Sequence, residues 1–262
     1  QDRGVEIRRI PVMQSEDPET ELTNAMDERT RVLTVSSVQW DSGFRLDLET
    51  LGRACEQQPA LFFVDAIQQF PAIPIDVRAC RIDALAASAH KWQMGPEGLA
   101  LFYCTETWRE KLDLVQHGWR MLDDPYRFDR PDRLPSSTAK RFEAGSPNTL
   151  GQTALFASLG LFCEVGADQV EQRIQSNTGQ IMAALSSMPR VELLSRTESG
   201  RRSGIVSFRV DGLAPDMLRR GLSRQKVFVA VRGPAIRLSP HFYQSGMHVE
   251  KMLENIQSEI NK

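Results

Sequence analysis

Three short apolar runs constrain the fold more than any other feature of the sequence. They span residues 61–64, 85–87 and 99–103. Runs of this length and composition are typical of buried strands. Because only short connections separate them, we expect the three strands to be neighbours in one buried sheet.

Polar side chains follow the first two runs at once. Asp65 comes directly after the first run, and the second is followed by Ser88, His90 and Lys91. Open α/β sheets bind ligands at the carboxyl ends of their strands, so an acid and an amine are expected to face the same small molecule. Lysine forms Schiff bases with carbonyl compounds, and burial near other cations makes its amine nucleophilic.

Four motifs resemble, in their order, those of the class V aminotransferase family of pyridoxal-phosphate enzymes. They are Val64-Asp65-Ala66-Ile67-Gln68, then Ser88-Ala89-His90-Lys91-Trp92 with Gly95-Pro96-Glu97-Gly98, then residues 141–148, and lastly Val231-Arg232-Gly233 with residues 236–243. That family includes cysteine desulfurases, kynureninases and isopenicillin-N-epimerase-like proteins. The resemblance covers nearly the whole chain.

The resemblance implies an α/β fold, the fold type I of pyridoxal-phosphate-dependent transferases. Residues 1–135 would form the C-terminal portion of the large, cofactor-binding domain with its mixed sheet. Residues 136–262 would form a connecting segment and a smaller α+β C-terminal domain.

The resemblance also implies roles for three residues around the cofactor ring. Lys91 is expected to form the Schiff base with pyridoxal 5'-phosphate, and Asp65 to pair with the pyridine nitrogen and keep it protonated. Gln68 is expected to donate a hydrogen bond to the phenolate oxygen. Taken alone, Asp65 also suits the N-cap of a helix after the strand, and Gln68 also suits a solvent-exposed amide.

Three further residues match phosphate ligands of the family. Ser88 and His90 are expected to donate hydrogen bonds to the cofactor phosphate, since hydroxyl and imidazolium groups suit a dianion. Ser146 is expected to reach the phosphate of a partner subunit. The alternatives are a satisfied core polar group for His90 and a simple turn before Pro147 for Ser146.

Arg237 matches the arginine that holds the substrate α-carboxylate in the family, for which a planar guanidinium is the natural complement. Arg232 is a second candidate for binding the substrate. Cysteine desulfurases carry a nucleophilic cysteine on a loop just before the arginine, but here the segment 232–236 contains none. This departure disfavours desulfuration through an enzyme persulfide and favours epimerase-like and C–S lyase relatives.

These observations predict a homodimeric pyridoxal-phosphate enzyme that acts at the α-carbon of an amino acid, either as an aminotransferase or as a C–S lyase or desulfurase-like enzyme. Family members carry a further N-terminal part that completes the cofactor site. Since the sequence begins with Gln1 inside the region of resemblance, we expect a truncated chain. The alternative hypothesis is a non-catalytic fragment or assembly module that keeps the fold and the dimer surface.

Composition excludes several other classes of function. The chain is 41% hydrophobic and 25% charged with a net charge of −2, which gives no general attraction to nucleic acid or to an anionic membrane. No apolar run approaches the ~20 residues that span a bilayer, and no signal peptide is recognisable. We therefore expect a cytoplasmic protein. The four cysteines are widely spaced, which predicts neither a zinc site nor structural disulfides.

The remaining pattern predicts alternating elements. Strands are expected at 5–10, 31–38, 191–194, 205–210, 227–231 and 235–238, and helices at 21–27, 47–57, 106–114, 150–165, 167–188, 211–222 and 247–260. Residues 115–135, rich in proline and polar residues, are expected to form a loop between the domains. Trp40, after the second predicted strand, either packs beside the sheet or lines a pocket.

Overall fold

The computed structural model describes residues 4–12 and 15–262, and these form two four-stranded sheets with helices packed against them. The first half contains α1 (Pro18–Asn24), β1 (Val32–Ser36), α2 (Leu48–Glu56), β2 (Leu61–Asp65), β3 (Ala84–Ser88), β4 (Ala100–Cys104) and α3 (Glu106–Lys111). The second half contains α4 (Thr149–Val165), α5 (Ala167–Ser187), β5 (Val191–Leu193), β6 (Val206–Val210), α6 (Pro215–Arg224), β7 (Ala230–Arg232), β8 (Ala235–Leu238) and α7 (Gly246–Ile260).

The first sheet has the order β1-β2-β3-β4. Its first three strands are parallel, and Asp65 at the end of β2 lies beside Ala86 of β3, so β2 and β3 deliver their polar ends to one edge. β4 is antiparallel to β3, because residues 89–99 are too few for the crossover of a dozen or more residues that a parallel neighbour needs. The three predicted strands are thus neighbours in one sheet, as expected, and the third runs in the opposite direction.

The second sheet is antiparallel throughout, with the order β5-β6-β8-β7. Helices α5, α6 and α7 cover it and contribute to one apolar core. The fully buried members of that core include Ile181, Leu185, Phe208, Leu222 and Ile256. The C-terminal part is thus α+β, as the sequence predicted.

A separate apolar cluster joins the two halves. It contains Val38 after β1, Trp92 after β3, Phe162 of α4, Ile174 of α5 and Ile205 before β6. Because Trp92 is the neighbour of Lys91 in the chain, the segment that carries the lysine is packed directly against the C-terminal half.

Among the predicted elements that differ in the structure are two near the N-terminus. Residues 5–10 form no strand: they are mostly exposed, and Arg8 instead donates hydrogen bonds to Ala25 O and to the Asp27 carboxylate. Helix α1 begins at Pro18, three residues before the predicted start. The Asp17 side chain accepts a hydrogen bond from Thr20 N, and a proline suits the first helical position.

Residues 112–148 contain two short 3-10 turns, Trp119–Met121 and Ala139–Phe142, and are otherwise irregular. An isolated bridge between Leu122 and Pro135 closes the loop between them. This agrees with the loop that the sequence predicted there, while the placing of a domain boundary at residue 135 stays a prediction.

In the described part of the chain no single helix is long and apolar enough to cross a membrane. Helices α4 and α5 taken together have the length and composition of a membrane span, but they are bent by 84° relative to each other.

Candidate active site

Lys91 lies in a tightly held turn after β3. Gly95 N donates a hydrogen bond to Ala89 O at 2.8 Å, and Met94 N donates one to Lys91 O at 3.0 Å. The buried side-chain amide of Gln93 donates to the carbonyl groups of residues 87 and 88, and the backbone carbonyl of Gln93 accepts from Ser158 Oγ of α4 at 2.5 Å. The backbone on both sides of Lys91 is therefore fixed.

Trp92 connects this turn to the C-terminal half. Its ring stacks on the His241 ring, with 5.2 Å between the centroids, and His241 Nε2 donates to Trp92 O at 3.1 Å. Gly204 lies against the Trp92 ring, and the Cβ of any other residue at this position would collide with the ring. Trp92 Nε1 also donates to Gln68 Oε1 at 3.2 Å. Gln68, Trp92 and His241 thus form one buried network.

Asp65 and Gln68 are held on the same edge of the sheet as Lys91. Asp65 Oδ1 accepts a hydrogen bond from Ile67 N at 2.9 Å, and only turns follow, so Asp65 caps no regular helix. Gln68 is 5% exposed, which excludes a solvent-exposed amide. Its Nε2 donates to no group of the described residues, because the carbonyl oxygen is the atom that faces Trp92.

The electrostatics of Lys91 connect it to both halves of the chain. The pKa of Lys91 is lowered, first by burial and then by the positive charge of Arg237, with a further contribution from Arg232. The Asp65 carboxylate opposes this shift. The charges of Asp65, Arg232 and Arg237 all act on the Lys91 amine.

Arg232 and Arg237 lie on the hairpin formed by β7 and β8. In its register Arg232 pairs with Ala235 and Arg237 with Ala230, so both arginines project from the same face. Arg237 Nη1 donates to Trp40 O at 2.5 Å, and the Arg232 guanidinium lies 5.4 Å from the centroid of the Trp40 ring. Trp40 is 53% exposed and thus lines the open site instead of packing into the core.

The loop of residues 40–43 is held by side chains that sequence reasoning missed. Three buried serines of the C-terminal half donate to successive carbonyl groups: Ser207 Oγ to Asp41 O, Ser195 Oγ to Ser42 O at 2.5 Å, and Ser203 Oγ to Gly43 O at 2.7 Å. The partners are 153 to 166 positions away, and a backbone carbonyl carries no sequence signal.

The three predicted phosphate ligands are less buried than Gln68. Ser88 is half-buried at the end of β3 and His90 is exposed, both beside Lys91 in the chain. Ser146 is exposed in the segment before α4 and, in the single chain, forms no hydrogen bond with the other predicted site residues. The roles of all eight predicted site residues stay predictions.

No cysteine of the described chain is placed as a nucleophile at this site. Only Gly233 and Pro234 connect β7 to β8, which leaves no loop there. Burial raises the pKa of Cys55 to about 12 and also raises the pKa of Cys104 and of the half-buried Cys80, while Cys163 is exposed on α4. Within residues 4–12 and 15–262, no three His, Cys, Asp or Glu side chains are grouped to hold a metal ion.

Two open clefts lie elsewhere in the structure. One of about 490 Å³ is lined by residues that include Asp47, Gln69 and Arg201. The other, of about 470 Å³, lies between Phe228 and Tyr243. Neither includes Lys91.

Comparison with known proteins identifies the family of the chain. The sequence profile of the family described as aminotransferase class V matches residues 1–251. A probable cysteine desulfurase of Methanothermobacter thermautotrophicus is 26% identical, with 98% of this chain and 67% of the relative covered. An uncharacterized aminotransferase of Bacillus subtilis is 25% identical, with 94% and 64% covered.

The fold is also shared with a solved structure. The apo cysteine desulfurase of Thermococcus onnurineus superposes with a TM-score of 0.83 at 23% identity, with 93% of this chain and 63% of that chain covered. This likeness confirms the predicted α/β fold of type I. The chain spans about two thirds of the length of these three proteins.

Proposed function

The chain belongs to the class V aminotransferase family, and from this premise we propose that it is a pyridoxal-phosphate-dependent enzyme acting at the α-carbon of an amino acid. One observation carries the proposal. Lys91, whose pKa is lowered by burial and by Arg237, shares its surroundings with the Asp65 carboxylate at adjacent strand ends. Such an amine is suited to bond with an aldehyde.

The residues at the site fit pyridoxal phosphate. The unoccupied donors and acceptors are an amine, a carboxylate oxygen, the Gln68 amide nitrogen and the polar side chains of Ser88 and His90. These match, in turn, an aldehyde, a pyridine nitrogen, a phenolate oxygen and a phosphate. When bound, the cofactor supplies an electron sink for the negative charge that develops at the substrate α-carbon.

With the cofactor bound, three residues of the chain would have separate roles. Lys91 would hold the cofactor through Nζ and afterwards carry the proton at the substrate α-carbon. Asp65 would keep the ring nitrogen protonated, because a cation beside a carboxylate is stabilised in its charged form. Arg237 would orient the substrate by its α-carboxylate.

The structure favours transamination or C–S bond cleavage over transfer of sulfur to an enzyme cysteine. The short connection between β7 and β8 carries no cysteine, and burial raises the pKa of Cys55 and Cys104, which keeps both thiols protonated. Transamination and C–S cleavage both begin with proton removal at the α-carbon and remain alternatives.

We also propose that the enzyme acts as a homodimer in the cytoplasm. Leu150 and Phe156 on α4 are 83% and 82% exposed, and Leu161 is 49% exposed. Apolar side chains grouped on one helix favour contact with another protein surface. Ser146 lies just before this helix, in keeping with its predicted reach toward a partner's phosphate.

The experiment is a spectral titration of the purified chain with pyridoxal phosphate. We expect visible absorption of bound cofactor, which Lys91→Ala abolishes and which Lys251→Ala, at an exposed lysine paired with Glu254, leaves unchanged. Assays for keto acid, pyruvate and sulfide with a panel of amino acids would then separate the two reactions. A chain that stays colourless with the cofactor contradicts the proposal and supports the non-catalytic alternative.

A further inference from the structure

The two arginines of the β7–β8 hairpin form a concentrated positive charge beside Lys91. Residues 230 and 232 share one face with residues 235 and 237, while Val231, Ile236 and Leu238 turn to the apolar core. Arg232 and Arg237 are close enough that Arg232 lowers the pKa of Arg237, after burial itself. Two guanidinium groups are therefore held together on one surface.

Neither guanidinium forms an ion pair with a carboxylate of the described residues. Arg237 donates to Trp40 O and Arg232 to its neighbour, Val231 O, both of which are neutral. The Nε atoms of both are buried and have no hydrogen-bond partner. A partly desolvated guanidinium without a counter-ion costs free energy, and two together repel each other.

Local groups do not neutralise this charge. The Trp40 ring attracts the Arg232 guanidinium but carries no net charge. Asp41 raises the pKa of Arg237 but is the least of the three causes that act on it and forms no ion pair. One α-carboxylate would match one guanidinium bidentately and leave the other unpaired.

We propose that Arg232 and Arg237 together bind an amino acid that carries a second acidic group, with the α-carboxylate on Arg237 and the side-chain acid on Arg232. The substrate class is thus an amino acid with a carboxylate or sulfinate in its side chain. That the ligand is an amino acid rests on the proposed function, whereas the paired anion site rests on the hairpin alone.

The binding test is calorimetric titration of the full chain, with and without pyridoxal phosphate. Succinate and glutarate are compared with butyrate and valerate, which match them in length but have one carboxylate. We expect the diacids to bind at least about tenfold more tightly, since a second charge-assisted pair is gained. Arg232→Gln should reduce diacid affinity to the monoacid level, and Arg232→Lys should retain part of the preference.

Two variants serve as references. Arg237→Gln should weaken diacids and monoacids alike, and Arg209→Gln, at an exposed arginine paired with Glu192, should change neither. Equal affinity of the wild-type chain for diacids and monoacids, or no measurable binding of either, would overturn the inference. So would an Arg232→Gln variant that loses cofactor absorption instead of the diacid preference.

A kinetic arm separates this inference from the proposed function. With cofactor bound, aspartate, glutamate and cysteine sulfinate are compared with asparagine and glutamine, and Arg232→Gln should raise KM for the acidic group alone. Turnover of the neutral amino acids at equal or lower KM contradicts the inference but leaves the enzyme proposal standing. A diacid preference without turnover of any amino acid contradicts the enzyme proposal but supports the anion site.

Discussion

The two sides of the site are held in opposite ways. The cofactor side, which comprises Asp65, Gln68, Lys91 and Trp92, is surrounded by buried groups whose hydrogen bonds are mostly made within the chain. The substrate side, Arg232 and Arg237, keeps two positive charges and two buried Nε atoms without partners. The 40–43 loop links them, since Arg237 donates to Trp40 O and three serines hold the next carbonyl groups.

This difference indicates how firmly each side is fixed before a ligand binds. A network with satisfied polar groups is rigid and fixes one geometry, as a covalently held cofactor needs. Unpaired charges store free energy that an anionic ligand releases, so they serve recognition. We therefore expect substitutions on the cofactor side to reduce stability and those on the substrate side to change binding.

The largest effect is expected from Gly204→Ala. The new Cβ would collide with the Trp92 ring, and overpacking of this kind destabilises by about 1–3 kcal/mol. Because Trp92 follows Lys91, affinity for pyridoxal phosphate should also fall. Urea unfolding and cofactor titration measure the two effects. Gly246→Ala, where no atom lies within 4 Å of the new Cβ, is the control; equal results for the two variants would contradict the role given to Trp92.

Ser207→Ala tests the link between the two sides. It would leave the partly buried Asp41 carbonyl without its donor, at a cost of about 1–2 kcal/mol in the free energy of unfolding. Ser187→Ala removes a similar bond on the exposed end of α5 and should change stability by less than about 0.5 kcal/mol. A Ser207→Ala variant as stable as Ser187→Ala would show that the 40–43 loop is held by other contacts.

The sequence could predict the cofactor side but not this link. Residues 61–65 and 84–88 carry local apolar runs that end in chemically distinctive side chains, and this is why β2, β3 and the placement of Asp65 and Lys91 after adjacent strands were predictable. The short connection after β3 also contained the signal that β4 is antiparallel. Serines 195, 203 and 207 carry no such signal, because their partners are carbonyl groups distant in the chain.

Residues 5–10 show a pattern that predicted an element the structure does not form. Val5 and Ile7 alternate with charged residues, a pattern typical of a strand, yet both side chains are exposed and the segment pairs with no strand of the described chain. Alternation predicts a strand only where a sheet edge and an apolar face are available to receive it. Neither condition can be read from the segment itself.

A smaller change in the free energy of unfolding is expected at low pH. Burial lowers the pKa of His241 below its usual 6.5, and the hydrogen bond that Phe242 N donates to Nδ1 requires the neutral ring. Because the unfolded chain binds this proton at higher pH than the folded one, the free energy of unfolding should fall as pH drops below about 6.5. Urea midpoints at about pH 7.5 and 5.5 should converge in His241→Gln but not in a control at the exposed His117. An unchanged pH dependence in His241→Gln would exclude this source of acid sensitivity.

The smallest stability change is expected on the substrate side. Arg232→Gln removes a contact with Trp40 but also removes the repulsion of Arg237, so the free energy of unfolding should stay within about 0.5 kcal/mol of wild type. Thermal and urea unfolding of this variant beside Gly204→Ala measure the contrast directly. A loss as large as that of Gly204→Ala would mean that both sides are structural.

The central claim is that the Lys91 amine and the Asp65 carboxylate face one bound cofactor. Its most direct test is incubation with pyridoxal phosphate, reductive trapping with borohydride and peptide mapping of the modified lysine, in wild type and Asp65→Asn. The account predicts modification at Lys91 above all other lysines, with altered visible absorption in Asp65→Asn. Modification spread over exposed lysines such as Lys226 and Lys251, or an Asp65→Asn spectrum identical to wild type, would contradict it.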